Sequence, residues 1–164
     1  MRNKRILGID PGTGICGFGV IEGNSPVDYG VISTPPHTPL EERLLDIYNS
    51  LHEIIELNHP NVMAIEKLFF KQNITTGISV AEARGVCLLV AKQCSLPIFE
   101  YAPNQIKNAI CGYGQAHKPQ IQEMVRQHLG LKTVPKPDDA ADALAVAIVH
   151  SFVAKDNVGI SQST

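Results

Sequence analysis

Apolar positions along the chain fall into short runs that end in an acid and longer runs with helical spacing. Ile6, Leu7 and Ile9 make the first short run, Pro11-Gly12 closes it in a turn, and Asp10 is its last residue. Residues 17–21 and 28–33 follow as strands joined by the Gly23-Asn24-Ser25-Pro26 link, so three antiparallel strands are predicted to open the fold. Thr38-Pro39-Leu40-Glu41 has capping-box spacing with Pro at the first helical position. Leu40, Leu44, Ile47, Leu51, Ile54 and Ile55 then recur at helical intervals up to Asn58, where His59-Pro60 ends the helix. Val62-Met63-Ala64-Ile65-Glu66 repeats the opening pattern of an apolar strand that delivers a carboxylate. Two such strands predict parallel neighbours, and α/β sheets hold their ligands at the C-terminal edge of such strands.

Lys67-Leu68-Phe69-Phe70-Lys71-Gln72-Asn73 reads as a loop of adjacent aromatics flanked by lysines. A helix is predicted over 79–93, small-sided through Ala81, Ala83, Gly85, Cys87 and Ala91, with Arg84 inside it. Residues 97–101 read as a strand, 102–107 as the start of a short helix and 112–118 as a glycine-bearing loop. Pro119 begins a helix that Gly130 stops, and Val134-Pro135-Lys136-Pro137 is a stiff link. The last helix starts at Asp138 or Asp139, with Ala140, Ala143, Leu144, Ala147 and Ile148 on its apolar side. Residues 1–155 thus form one predicted α/β domain, and 156–164 a frayed polar tail.

Bulk properties narrow the function classes. The 164 residues suffice for one domain with a proper core, and a hydrophobic share of 44% suits a soluble α/β protein. No uninterrupted apolar run reaches the ~20 residues of a membrane span, so no membrane association is expected. The basic start Met1-Arg2-Asn3-Lys4-Arg5 leads into a strand rather than an apolar signal core, which makes the cytoplasm the expected location. Cys16, Cys87, Cys94 and Cys111 lack zinc spacing, and the histidines are scattered singly, so neither type is assigned chemistry. A net charge of −2 means that any nucleic acid must be met by positive charge gathered on one face.

Asp10 is the point of tension. A carboxylate ending a buried strand must bond to turn backbone, pair with a cation or bind metal. Before Pro-Gly, the turn-bonding role is the commoner one. Glycines at 12, 14, 17 and 19 would keep the surrounding backbone open to a ligand or metal. Glu66 ends the second strand, and Asp139 and Asp142 project from one face of the last helix. If that helix packs with its first turn above the sheet edge, all four acids converge. Convergence of carboxylates is reasonable only around divalent cations, and oxygen donors without His or Cys suit Mg²⁺ or Mn²⁺. Two such ions would form the clamp that activates water and stabilises the leaving oxygen in phosphodiester hydrolysis. Spacing does not separate Asp139 and Asp142 from Asp138 and Asp142, because both pairs share a face.

Gly8-Ile9-Asp10-Pro11-Gly12, Ala64-Ile65-Glu66-Lys67-Leu68-Phe69, Ala83-Arg84-Gly85-Val86 and Asp139-Ala140-Ala141-Asp142-Ala143-Leu144-Ala145 together resemble the RuvC-type Holliday junction resolvases, in order over nearly the whole chain. The resemblance implies a ribonuclease H-like α/β fold, with a central mixed five-stranded sheet flanked by helices. It also implies a homodimer, whose interface involves the helix after the Phe loop, that makes symmetric nicks in four-way DNA junctions. Asp10, Glu66, Asp139 and Asp142 would be the catalytic and metal-binding acids, with two Mg²⁺ per site and Mn²⁺ able to substitute. The nicks would carry ligatable 5′-phosphate and 3′-hydroxyl ends, in recombination and repair. The family's aromatic falls at Phe69 and its basic residues at Lys107 and Lys118; Phe70, Lys71 and Arg84 join them as candidate DNA contacts. The branch-migration motor proteins RuvA and RuvB are the implied partners. Phe70 beside Phe69 leaves open which ring meets a base, and the short polar tail offers little charge to DNA. The competing readings are an actin-like or sugar-kinase ATPase, for which the chain has only half the length, an RNA-processing relative with the same acids, and a non-catalytic junction binder.

Overall fold

A computed structural model describes residues 4–69 and 74–160 of the chain. Its elements run β1 (Arg5–Asp10), β2 (Ile15–Glu22), β3 (Ser25–Ser33), α1 (Leu40–Asn58), β4 (Val62–Glu66), α2 (Ile74–Gln93), β5 (Ile98–Tyr101), α3 (Pro103–Cys111), α4 (Lys118–His128) and α5 (Asp138–Ile160). One five-stranded sheet has the order β3-β2-β1-β4-β5. β1, β2 and β3 are antiparallel neighbours, whereas β4 pairs parallel with both β1 and β5. The sheet is therefore mixed, and the two acid-ended strands are adjacent, as the repeated pattern predicts.

Strand alternation sorts the core into two layers. Leu7, Ile9, Phe18, Val20, Met63 and Ile65 point to one side, where Ile47 and Leu51 of α1 and Ala83, Cys87 and Val90 of α2 cover them. Ile6, Ile21, Val62, Ala64 and Tyr101 point to the other, against Ile106, Val125, Leu144 and Ile148 of α3, α4 and α5. The same alternation turns Asp10 and Glu66 toward the α5 side.

On that side the glycines have a different task from the one expected. A Cβ on Gly8 would lie 2.0 Å from the carbonyl oxygen of Ala143, and one on Gly17 would lie 2.0 Å from that of Asp139. These residues are bare so that α5 can rest on the sheet backbone, not so that a ligand can approach. Gly19 meets the Leu144 side chain in the same way.

Several boundaries shift. β2 begins at Ile15 rather than 17 and β3 at Ser25 rather than 28, because the antiparallel ladder continues past the apolar runs and takes Ser25 and Pro26 of the expected link into the strand. The Thr38 capping box does not form: Pro39 is the N-cap of α1, and its carbonyl accepts the N–H groups of Glu42 and Arg43 at 3.1 Å each. α2 begins at Ile74 rather than near 79, because its exposed first turn, with Thr75, Thr76 and Gly77, carries no apolar periodicity. α5 continues to Ile160, beyond the expected end at 155. By length and composition α2 also suffices to cross a membrane, contrary to the sequence expectation. It nevertheless carries Glu82 and Arg84, and it puts Ala83, Cys87, Val90 and Ala91 into the core.

Candidate active site

Asp10 and Glu66 reach the same sheet edge because β1 and β4 are parallel and in register through Ile9 and Ile65. Asp10 is paired across the antiparallel ladder with Gly17, and the carbonyl of Asp139 lies over Gly17. The close seat of α5 thus brings Asp139 and Asp142, one turn apart, into the field of Asp10, on which Asp142 acts more strongly than Asp139, and Asp142 into that of Glu66. Burial, then the charges of Asp142, Glu66 and Asp139, push the Asp10 carboxyl up from 3.8 to about 8. Burial and Asp142 likewise raise Glu66, opposed by Lys107 and Lys118. Asp142 is also raised, by burial above all, against the pull of Lys118. The four acids are one electrostatic group.

Basic side chains share a cavity with two of them. A cavity of about 370 Å³ is lined by Glu66 and Asp142 together with Lys107, His117 and Lys118, and by the apolar Ile106, Ile121 and Ala145. Lys118 Nζ stands 3.3 Å from Asp142 Oδ2 and 3.7 Å from Asp138 Oδ2. Burial alone would lower the Lys118 ammonium, but Asp142 and Asp138 together raise it. Asp138 is shared between Lys118 and Lys136, and it is Asp139 and not Asp138 whose charge acts on Asp10. That separates it from Asp139, a distinction the spacing left open.

A second cavity of about 350 Å³ shares Glu66 and adds Asp10, Pro11, Lys67, Leu68, Phe69 and Arg84. Phe69 is 55% exposed at its rim. Phe70 and Lys71 lie outside the described residues. Arg84 lines this cavity, but its guanidinium already bonds to the Glu66 carbonyl and the Glu100 carboxylate. As a candidate DNA contact it is therefore committed within the protein. His117 is the residue that sequence reasoning passed over. Its signal was its place directly before Lys118, at the N-cap of α4.

The donor set suits a hard divalent cation: it consists of carboxylate oxygens only, and burial with the neighbouring carboxylates pushes Asp10 up to about 8. Among the described residues no three His, Cys, Asp or Glu side chains are drawn into a ready-made cage. The Lys118 ammonium is the cation that Asp142 already has.

The family model of the crossover junction endodeoxyribonuclease RuvC matches residues 6–150 of the chain. A protein of that name from Desulfitobacterium hafniense (strain DSM 10664 / DCB-2) is 57% identical over 150 residues, which cover 89% of this chain and 91% of its own. The one from Thermotoga maritima is 51% identical over 156 residues, 93% of each chain. The solved structure of T. thermophilus RuvC in complex with a Holliday junction substrate matches with a TM-score of 0.88 at 34% identity, over 94% of this chain and 96% of that one. The yeast mitochondrial Holliday junction resolvase shares the fold, with a TM-score of 0.61 at 14% identity over 92% of this chain and 80% of its own. Matched along nearly its whole length by sequence and by fold, this chain belongs to the RuvC family of crossover junction endodeoxyribonucleases.

Proposed function

We propose that this protein resolves four-way DNA junctions by paired, symmetric phosphodiester hydrolysis that depends on Mg²⁺, with Mn²⁺ as a substitute. The carrying observation is the cavity that Glu66 and Asp142 line together with Lys107 and Lys118, with Asp10 and Asp139 electrostatically joined to the acids. Asp10, Glu66, Asp139 and Asp142 would hold two ions. When bound, such ions lower the pKa of the attacking water and stabilise the leaving oxygen of an in-line displacement, which leaves 5′-phosphate and 3′-hydroxyl ends.

The chain's own residues do the rest. Lys107 and Lys118 bring positive charge into the cavity beside the acids, where the phosphates of a DNA strand would run. Lys118 meanwhile offsets the charge of Asp142. Phe69, exposed at the rim, offers a flat face to an unpaired base at the crossover, an interaction worth ~1–3 kcal/mol.

Symmetric nicking needs two sites related by a two-fold axis, and α2 supports a homodimer. Ile74, Ile78 and Leu89 are 72%, 51% and 52% exposed and share one helical face with Gly85, where a Cβ would meet nothing within 4 Å. A second copy of α2 fits such a face. RuvA and RuvB are the proposed partners that bring junctions to the dimer, in the cytoplasm.

The test is cleavage of a synthetic four-way junction with and without Mg²⁺, beside duplex and RNA controls. Paired nicks at opposed positions that ligase can seal are expected on the junction alone. Equal cutting of plain duplex, or a preference for RNA, would overturn the assignment.

A further inference from the structure

Parallel pairing of β1 with β4 stops at Ile9 and Ile65. In that ladder the next donor to β4 would be the N–H of residue 11, directed at the carbonyl of Glu66, and Pro11 has no N–H. On the other edge, Lys67 N–H reaches the Tyr101 carbonyl at 2.8 Å, so the β4–β5 ladder uses Lys67 and leaves the Glu66 carbonyl to another donor. Arg84 supplies it from α2: its Nε donates to Glu66 O at 3.2 Å. The other arm of the guanidinium donates to the carboxylate of Glu100 on β5. The Arg84 side chain is 16% exposed, against 40% for Glu100.

We propose that Arg84, anchored by Glu100, is a positioning residue that fixes the main chain of Glu66 from the face of the sheet opposite α5. The proposal rests on the reading of Glu66 as a catalytic carboxylate. One side chain replaces the donor that Pro11 withholds and ties the ends of two adjacent strands to α2. The Glu66 carboxylate, turned to the α5 side, is thereby held at a set height against Asp142. A small displacement of a reacting group lowers rate far more than it lowers binding, and outer residues that orient a ligand tune its metal affinity.

The experiment compares the full-length wild type with R84Q, E100Q, the double variant R84Q/E100Q, and E66Q. Three readouts are needed: single-turnover junction cleavage, junction affinity across salt concentrations without divalent ion, and the Mn²⁺ concentration at half of the thermal shift it induces. R84Q is expected to slow cleavage by about 10–100-fold and to raise the Mn²⁺ midpoint about as much. Junction affinity and its salt slope are expected to match wild type. E100Q should shift the same readouts in the same direction by less, and the double variant should be no worse than R84Q alone. If R84Q loses the fold, the half-exposed E100Q carries the test by the same readouts.

Weaker junction binding with a salt slope shallower by about one would make Arg84 a phosphate contact and overturn the proposal. Unchanged cleavage and an unchanged Mn²⁺ midpoint would overturn it as well. Normal cleavage by E66Q would instead remove the reading of Glu66, whatever the Arg84 variants do.

Discussion

α2 and α5 are the two long apolar helices of this protein, and each lies against one face of the sheet. Their fates differ. α5 is buried at every position from Ala140 to Ser151 except Asp142. α2 buries only Ala83, Cys87, Val90 and Ala91 and presents Ile74, Ile78 and Leu89 to solvent. Apolar composition alike in both therefore serves two ends. In α5 it is used up within the chain, by a sheet made bare at Gly8 and Gly17 to receive it. In α2 part of it finds no cover among the described residues, as the proposed homodimer requires.

The largest effect that tests this contrast is chemical. Asp10→Asn should reduce junction cleavage by about 10³-fold or more while leaving junction binding near wild type, measured by single-turnover assay and by titration. Cleavage close to wild type would detach the acids beneath α5 from metal binding. The same variant has a pH signature. The folded carboxyl titrates at about 8 and the ordinary value is 3.8, so its contribution to stability is complete below about 4. That contribution is lost as pH rises through 8, because the folded chain keeps a proton that the unfolded chain has released. In chelator, Asp10→Asn should melt above wild type by a margin that widens from pH 4 to 8, and Mn²⁺ should narrow it. A constant margin would place Asp10 outside the coupled group.

Next comes Gly8→Ala. Its methyl would collide with the backbone of α5, where nothing flexible can yield, so a loss at or above ~3 kcal/mol is expected in urea unfolding. A loss below ~1 kcal/mol would mean that α5 can lift away and that its seat does not fix the acids. If the proposed homodimer forms through α2, Leu89→Asp should convert it to a monomer in sedimentation and uncouple the two nicks, with little change in the monomer's own stability. An unchanged sedimentation coefficient would erase the contrast between the helices. Smallest is Gly85→Ala, placed in the Leu89→Asp background so that only the monomer is read. A gain of ~0.5–1 kcal/mol is expected, because the added methyl meets nothing. A loss there would show that the face is already packed.

Local pattern carried the sequence reading as far as local pattern reaches. β1, α1, β4 and the start of α5 each declare themselves by period and punctuation, and Asp10 and Glu66 were legible because an acid ending an apolar strand is out of place. The pairing of β1 with β4 followed from their likeness. What was not legible depends on neighbours distant in the chain. Arg84 inside an apolar helix reads as a cation in search of phosphate until β4 and β5 supply its partners. Gly17 and Gly19 read as room for a ligand until α5 fills it. The first turn of α2 has no apolar rhythm because that turn is exposed, and the Thr38 cap failed because Pro39 took the position. His117 had only its place before Lys118 as a signal, and the fold of the α3–α4 turn is what puts it in the cavity lining.

The seat of α5 on bare strand backbone also works as a register lock. A helix resting on bulky side chains can slide as rotamers adjust, whereas carbonyls against Cα atoms have no such slack. A slip of one residue would carry Asp139 and Asp142 about 1.5 Å along the axis and swing them about 100° around it. The spacing of carboxylates drawn from three remote parts of the chain is therefore set where two main chains touch, and not by the loops that join them.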